Sequence, residues 1–472
     1  MRTRFISFLV VAAVLTLSPL RLRAQSDTTL KLGTSSQAAA AHFRAGVTDM
    51  QNISFESASA HFRMAVDADP NFGLARVLWA AGAPLPADRL SQELDRGVAD
   101  AMAHGSSNEV LLARAYRASA LGKADSAKTF FTSAAQAMPN DRLLAISTPG
   151  GAFAGDAKFF RDAASRYPDY ALVYNNLAYA EWFAGNRDAA LAAAKRQAEL
   201  IPTAPNAHDT YAELLQWNGD FTDATAHYKR AASLTPRYPE AYAGLAEVEA
   251  LQGRYDQARA YLNQAIANAW DPAEKVSYMR QIAGTYAMEG TSSDALLKAL
   301  DAAAAEAKAA GDLRQAAIIY SQIAGVHAAL GHSDVAHQFV QTATTTAPTA
   351  PWNVHYFAGV THGMLKHWAP AQAELAKLKA STGAPPARVA ALEGYLLTQQ
   401  GKPADALTVL MAADTTDAIV INRIAEAHAA LGHPDEAAKW YNRINSNYAV
   451  SLLDFTNVNA RRRARLAVAK KQ

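Results

Sequence analysis

A 34-residue ruler in the middle of the chain limits its fold more than any other feature. Across residues 171–270, Gly185, Gly219 and Gly253 recur at that interval, and Pro168, Pro202 and Pro236 keep the same step. Ala190, Ala224 and Ala258 hold register between them, as do Ala178, Ala212 and Ala246. Four residue types in one register over three units mark a stacked repeat, whose units bury their apolar faces only against their neighbours. A chain of 472 residues would ordinarily divide into about three domains, but a stacked array grows unit by unit without one central core.

Spacing within the units specifies helix pairs. Phe55, Ala58, Phe62 and Ala65 lie three and four apart, so they share one helical face, and Pro70 stops the helix. The first pair is therefore predicted at 36–51 and 55–68. Residues 71–106 form a poorer unit, with helices at 72–81 and 89–104 and a stretched turn at 82–86. Register returns over 108–139 through Ala115, Ala127, Phe131, Ala134 and Pro139. Residues 147–155 (STPGGAFAG) break it again. The lysine and Ser/Thr of a phosphate-binding loop do not follow them and no strand precedes, so they read as a loosened turn. A helix over 157–167 leads into three regular units, 171–204, 205–238 and 239–272. Further pairs follow at 273–310, 312–347, 352–382, 386–414 and 417–446. A last helix over 449–471, ending in the basic run from Arg461 to Lys471, is expected to cap the stack.

The N-terminus has the features of a secretory signal. Arg2 and Arg4 precede an apolar run over 5–17, and Ala24 offers a small residue for cleavage. The run is short of the ~20 residues that span a bilayer. The formal charge of +2 falls to −2 without the four arginines of that segment, which leaves no basic field for nucleic acid. There are no cysteines, which excludes disulfides, thiolate metal sites and thiol catalysis. The organisation expected is a signal peptide at 1–24 and a disordered lead-in at 25–36. N-terminal repeats follow at 37–168 (irregular at 71–106 and 140–168), regular repeats at 169–272, C-terminal repeats at 273–446, and a capping helix with a basic tail at 447–472. The mature chain is expected in the periplasm or outside the cell, without stable membrane insertion.

The repeat resembles the tetratricopeptide repeat family. In unit 171–204 the matching residues are Tyr174, Leu177, Ala178, Ala190 and Pro202. In unit 205–238 they are Tyr211, Ala212, Phe221, Ala224, Tyr228, Ala231 and Pro236, and in unit 239–272 Tyr242, Leu245, Ala246, Tyr255, Ala258, Leu262 and Ala265. The resemblance implies an all-α superhelical solenoid of antiparallel helix pairs, roughly ten to twelve of them. It also implies a non-enzymatic scaffold that binds a peptide or protein in a concave groove lined by the first helices. Carried onto this sequence, the groove positions are Asn175, Asn176, Tyr179 and Trp182, then Asn206, Asp209, Glu213 and Gln216, then Glu240 and Glu247. Family pockets that clamp a C-terminal carboxylate use bases at such positions. Acids here favour a partner with a cationic segment.

No catalytic residues, cofactor or metal ligands are assigned, since no metalloprotease, nucleophile-elbow, dinucleotide or phosphate-loop motif occurs. Six histidines, His327, His332, His337, His355, His362 and His367, fall in one region but without i, i+4 spacing. They motivate the alternative reading, an accessory subunit of an envelope enzyme or a metal-dependent hydrolase built on residues 327–367.

Overall fold

The computed structural model describes residues 30–52, 54–83, 85, 87–139, 141, 157–235, 237–347, 349–449, 451–454 and 458–464. Among these residues the regular structure is entirely helical and is arranged in consecutive pairs, an all-α solenoid of the expected class. The chain divides into two compact units, one ending at Leu215 and one beginning at Gln216. Residues 1–24 with the signal features, and the Gly-rich stretch 147–155, lie outside the described residues.

The first pair forms as Gln37–Gln51 and Phe55–Ala68. The Ser36 hydroxyl caps the first helix by accepting from the amide of Ala39. Asp69, before Pro70, is extended, as a residue preceding proline must be to avoid its ring. Within the pair, Gly46 makes room for an aromatic side chain: a Cβ there would lie 2.7 Å from Phe62 Cε1. In the second unit Gly244 makes room for Tyr228 between successive pairs, where a Cβ would lie 2.2 Å from the ring. Helices approach so closely only where a side chain is missing or small. The 34-residue glycines serve the turns instead. Gly185, Gly219 and Gly253 have φ of 85°, 96° and 80°, the left-handed backbone that lets two helices meet across a short turn.

The weakly patterned stretch at 71–106 is a helix pair, Gly73–Gly82 and Ala87–His104. Its contact is polar as well as apolar, which explains the poor pattern. Buried Arg76 donates through Nη1 to Glu93 at 2.8 Å and lies 3.3 Å from Asp100. Gly73 sits where a Cβ would be 2.2 Å from the amide nitrogen of Ala101.

Two sequence expectations change at the ends. Residues 30–36, expected to be disordered, are docked. Leu30 and Leu32 pack against the core cluster that holds Phe43, Phe62 and Phe72. The Thr34 hydroxyl donates to Asp69, and the Ser106 hydroxyl donates to the Lys31 carbonyl at 2.9 Å. In the second unit the single helix expected over 449–471 gives way, among the described residues, to a turn at 452–453 and a helix over 458–464, and residues 465–472 lie outside the described residues. Leu452 and Val458 are buried in a cluster with Tyr278 and Ala283, so apolar burial beside the earlier pairs sets the path of this segment.

The docked lead-in creates an ionisable site. Glu109 is the N3 residue of a capping box with Ser106, and it is buried. Burial raises its carboxyl to about 7 against backbone hydrogen bonds from Ser106 and Gly33. The folded state thus holds this proton more tightly than the unfolded chain. Its stabilising effect is full below the ordinary value of 4.5 and is lost as pH climbs to about 7. Glu109→Gln keeps an acceptor without the charge. Denaturant unfolding is expected to show it near wild type at about pH 4.5 and more stable by on the order of 2 kcal/mol at pH 8. Parallel pH profiles would contradict this. Gly253→Ala meets no atom within 4 Å, so the same assay should show only the left-handed backbone cost, about 1–2 kcal/mol.

Candidate protein-interaction surface

The first helices carry the candidate contact residues. In the first unit, Asn175 and Tyr179 are one turn apart on Ala171–Phe183 and so point the same way. Their partners sit one repeat further on. Asn175 donates through Nδ2 to Thr210 Oγ1 at 2.9 Å, and the Tyr179 hydroxyl donates to Glu213 Oε2 at 2.6 Å. Gln197, from the intervening second helix, donates to Asn206 at 3.2 Å. Asn175, Asn176, Tyr179 and Asp209 are buried, while Trp182, Asn206 and Glu213 are half-buried. Burial first, and then the Glu213 carboxylate, push the Tyr179 hydroxyl well above its ordinary value, so it remains a donor.

Helix Pro205–Asn218 supplies Asn206, Asp209 and Glu213 to the first unit, and the second unit opens with its Gln216. Gln216 is fully buried. It accepts from the Tyr228 hydroxyl at 3.0 Å and donates to Glu247 at 3.4 Å. Glu247 is buried and Glu240 half-buried. Much of the polar set named by the repeat register is therefore engaged in hydrogen bonds between neighbouring helices. Such bonds tie the register of one repeat to the next, because a buried donor left unpaired costs more than the bond itself gains.

The acidic character inferred from these residues leaves out a set of arginines on later first helices. Arg280 lies on Pro272–Glu289, Arg388 on Pro386–Gln399 and Arg423 on Ala418–Ala430. Arg280 is buried, and its Nε has no hydrogen-bond partner among the described residues. Arg388 donates through Nη1 to Asp417 at 2.8 Å and through Nη2 to Asp454 at 2.9 Å. Buried Arg423 donates to Glu426 at 2.6 Å and lies over the Tyr395 ring, 4.3 Å from its centroid. Burial alone would raise the Glu426 carboxyl, but the charges of Arg423 and Arg463 hold it below its ordinary value. An arginine within each of these first helices was the available signal, and the loosened repeat period beyond residue 272 hid it.

The six histidines are brought together only in part. His327 and His332 approach through their Nδ1 atoms at 3.3 Å, and His355 Nδ1 lies 2.7 Å from Glu374. The ring of His362 is 6.0 Å from that of His337 and 6.1 Å from that of His367. Among the described residues no group of three or more His, Cys, Asp or Glu is arranged to hold a metal ion. Also among them, no helix is long and apolar enough to cross a membrane.

This arrangement, successive helix pairs with polar side chains displayed along the first helices, defines a class of helical-repeat protein. Residues 218–274 match the family model of the tetratricopeptide repeat, so that part of the chain carries the repeat. Similar solved structures include a tetratricopeptide repeat protein from Parabacteroides merdae, at 14% identity over 62% of this chain and 99% of that one, with a TM-score of 0.38. MamA is similar at 18% identity over 34% of this chain and 91% of that one, with a TM-score of 0.29. The APC/C hetero-tetramer Cut9–Hcn1 is similar at 12% identity over 89% of this chain and 96% of that one, with a TM-score of 0.33. No curated protein matches the chain. Tetratricopeptide-repeat proteins are in general protein-binding scaffolds and typically not enzymes.

The Tyr179 to Glu213 bond can be tested directly. Tyr179→Phe removes the donor and leaves the carboxylate half-buried, so urea unfolding should show a loss of about 1.5–3 kcal/mol, the range for hydrogen bonds to charged groups. An unchanged midpoint would show that the bond does not link these repeats.

Proposed function

We propose that the chain is an exported, non-enzymatic scaffold that binds a protein or peptide partner on the faces formed by its first helices. The observation that carries this reading is the placement of polar side chains on successive first helices at one-repeat intervals, as in Tyr179 with Glu213. The half-buried members of this set, Asn206, Glu213 and Glu240, offer donors and acceptors to an extended chain. In the regular repeats, Asp209, Glu213, Glu240 and Glu247 supply negative charge, which suits a partner with a cationic segment. Export is supported by the sequence alone: Arg2 and Arg4, the apolar run over 5–17 and the small residue Ala24. The partner would then belong to the envelope or the exterior.

Fractionation of cells making the tagged chain, with intact-mass measurement, is expected to find it outside the inner membrane and lacking about 24 residues. Retention at full length in the cytoplasm would overturn the export reading. An envelope protein captured by the mature chain should lose about tenfold or more in affinity on Glu213→Lys with Glu240→Lys, and should weaken as salt rises. Capture that is indifferent to both would overturn the acidic-face reading.

A further inference from the structure

In the second unit the first-helix face is already in contact with the chain's own C-terminal segment. The Tyr448 ring meets Phe221 edge-on, with centroids 5.1 Å apart. Leu452 is buried against helix Pro272–Glu289. Asp454 accepts from Arg388 of Pro386–Gln399 at 2.9 Å. Arg462 donates to the Gly290 carbonyl at 3.2 Å, and Arg463 donates to Glu426 of Ala418–Ala430. Pro272–Glu289, Pro386–Gln399 and Ala418–Ala430 are each the first helix of their pair, while Phe221 lies on the second helix Phe221–Leu234.

Gly284 is the seat for this segment. A Cβ there would lie 2.1 Å from the Leu452 carbonyl oxygen, and the three nearest atoms it would meet all belong to Leu452. Glycine in the middle of an 18-residue helix is unfavourable relative to alanine. Close approach of another backbone is the usual reason to keep one. Beside the seat is a receptor for a carboxylate. Arg388 divides its guanidinium between Asp417 and Asp454, and the Asp454 charge also acts on buried Arg280, opposing the lowering that burial causes. Ahead of the helix over 458–464, the backbone bonds among the described residues of 447–454 include short turn contacts, such as Asp454 N to Ser451 O at 3.1 Å. Side-chain anchors of this kind belong to the part of a fold that opens most readily.

We propose that Leu452, Asp454, Arg462 and Arg463 of the C-terminal segment are a built-in occupant of the second unit's first-helix face, displaced by a partner segment that carries an apolar residue two positions before a carboxylate. This rests on the reading of the first helices as the binding face. The chemistry follows from the occupant: Leu452 on the glycine seat and Asp454 on the arginines. The short connection from the end of Pro434–Asn445 gives the segment an effective concentration in the millimolar range for its own site. The face is therefore closed by default, and only a partner that binds more tightly than this tethered segment opens it.

The experiment uses the full chain and a fluorescent peptide of residues 446–464. Leu452→Arg with Asp454→Arg removes both anchors and leaves the face intact. Amide exchange over 447–464 should then speed up, and the peptide should bind this variant at least about tenfold more tightly than wild type, whose face is occupied. Adding Gly284→Ala should abolish peptide binding. Gly284→Ala alone should free the tail while leaving helicity unchanged, because alanine favours the helix. If the double substitution lowers the melting temperature, exchange in Gly284→Ala alone reads the same seat. Equal peptide binding by wild type and variant, or no binding to a variant whose tail is free, overturns the proposal. So does a tail equally protected in Gly284→Ala and wild type. The partner's dependence on Glu213 and Glu240 is measured separately, so failure here leaves the scaffold reading standing.

Discussion

Everything else in this structure depends on how closely two helices of a pair can approach. A single pair cannot bury its own apolar stripe, so each must find a neighbour, and the neighbour must fit at the same distance every time. Alanines at 178, 212 and 246 on the first helices, and at 190, 224 and 258 on the second, are fully or almost fully buried. The rings of Phe62 and Tyr228 enter where a glycine faces them. Left-handed turn glycines then fix the length of each unit.

Once the apolar contacts are so uniform, register between repeats has to come from something more directional. Hydrogen bonds supply it. Asn175 to Thr210 and Tyr179 to Glu213 each reach about one repeat forward, and Tyr228, Gln216 and Glu247 make the corresponding chain in the second unit. Where the repeat is weakest, ions take over, as with Arg76 between Glu93 and Asp100. Buried ion pairs add less net stability than they cost when broken. They specify a contact rather than merely strengthen it. Of the polar groups that set register from repeat to repeat, Glu213 is half-buried and Asn175, Thr210, Tyr179, Gln216, Tyr228 and Glu247 are buried, so most of them serve the architecture.

The sequence disclosed the fold well and the surface unevenly. Helix pairs at 36–51 and 55–68 were readable because 3–4 spacing and a terminating proline act locally. Even the pair at 71–106 was located to within about two residues, the usual uncertainty of helix ends. The buried state of Asn175, Gln216 and Glu247 was not readable, because each depends on a partner about one repeat away. The docking of Leu30 and Leu32, and the course of residues 447–464, were hidden for a related reason. Both are short apolar segments whose burial is decided by distant helices: Arg462 reaches a carbonyl 172 positions earlier. Arg280 and Arg388 escaped notice because their repeats had lost the 34-residue step that made the central units comparable.

The central claim is that partners engage the first helices and not the second. Site-specific photo-crosslinking tests it most directly. A photoreactive side chain at half-buried Glu213 or Glu240 samples the first helices, and one at exposed Lys195 or Asp223 samples the second. The account predicts covalent capture of the envelope partner from Glu213 and Glu240 and none from Lys195 and Asp223. Capture from Lys195 and Asp223 alone would contradict it.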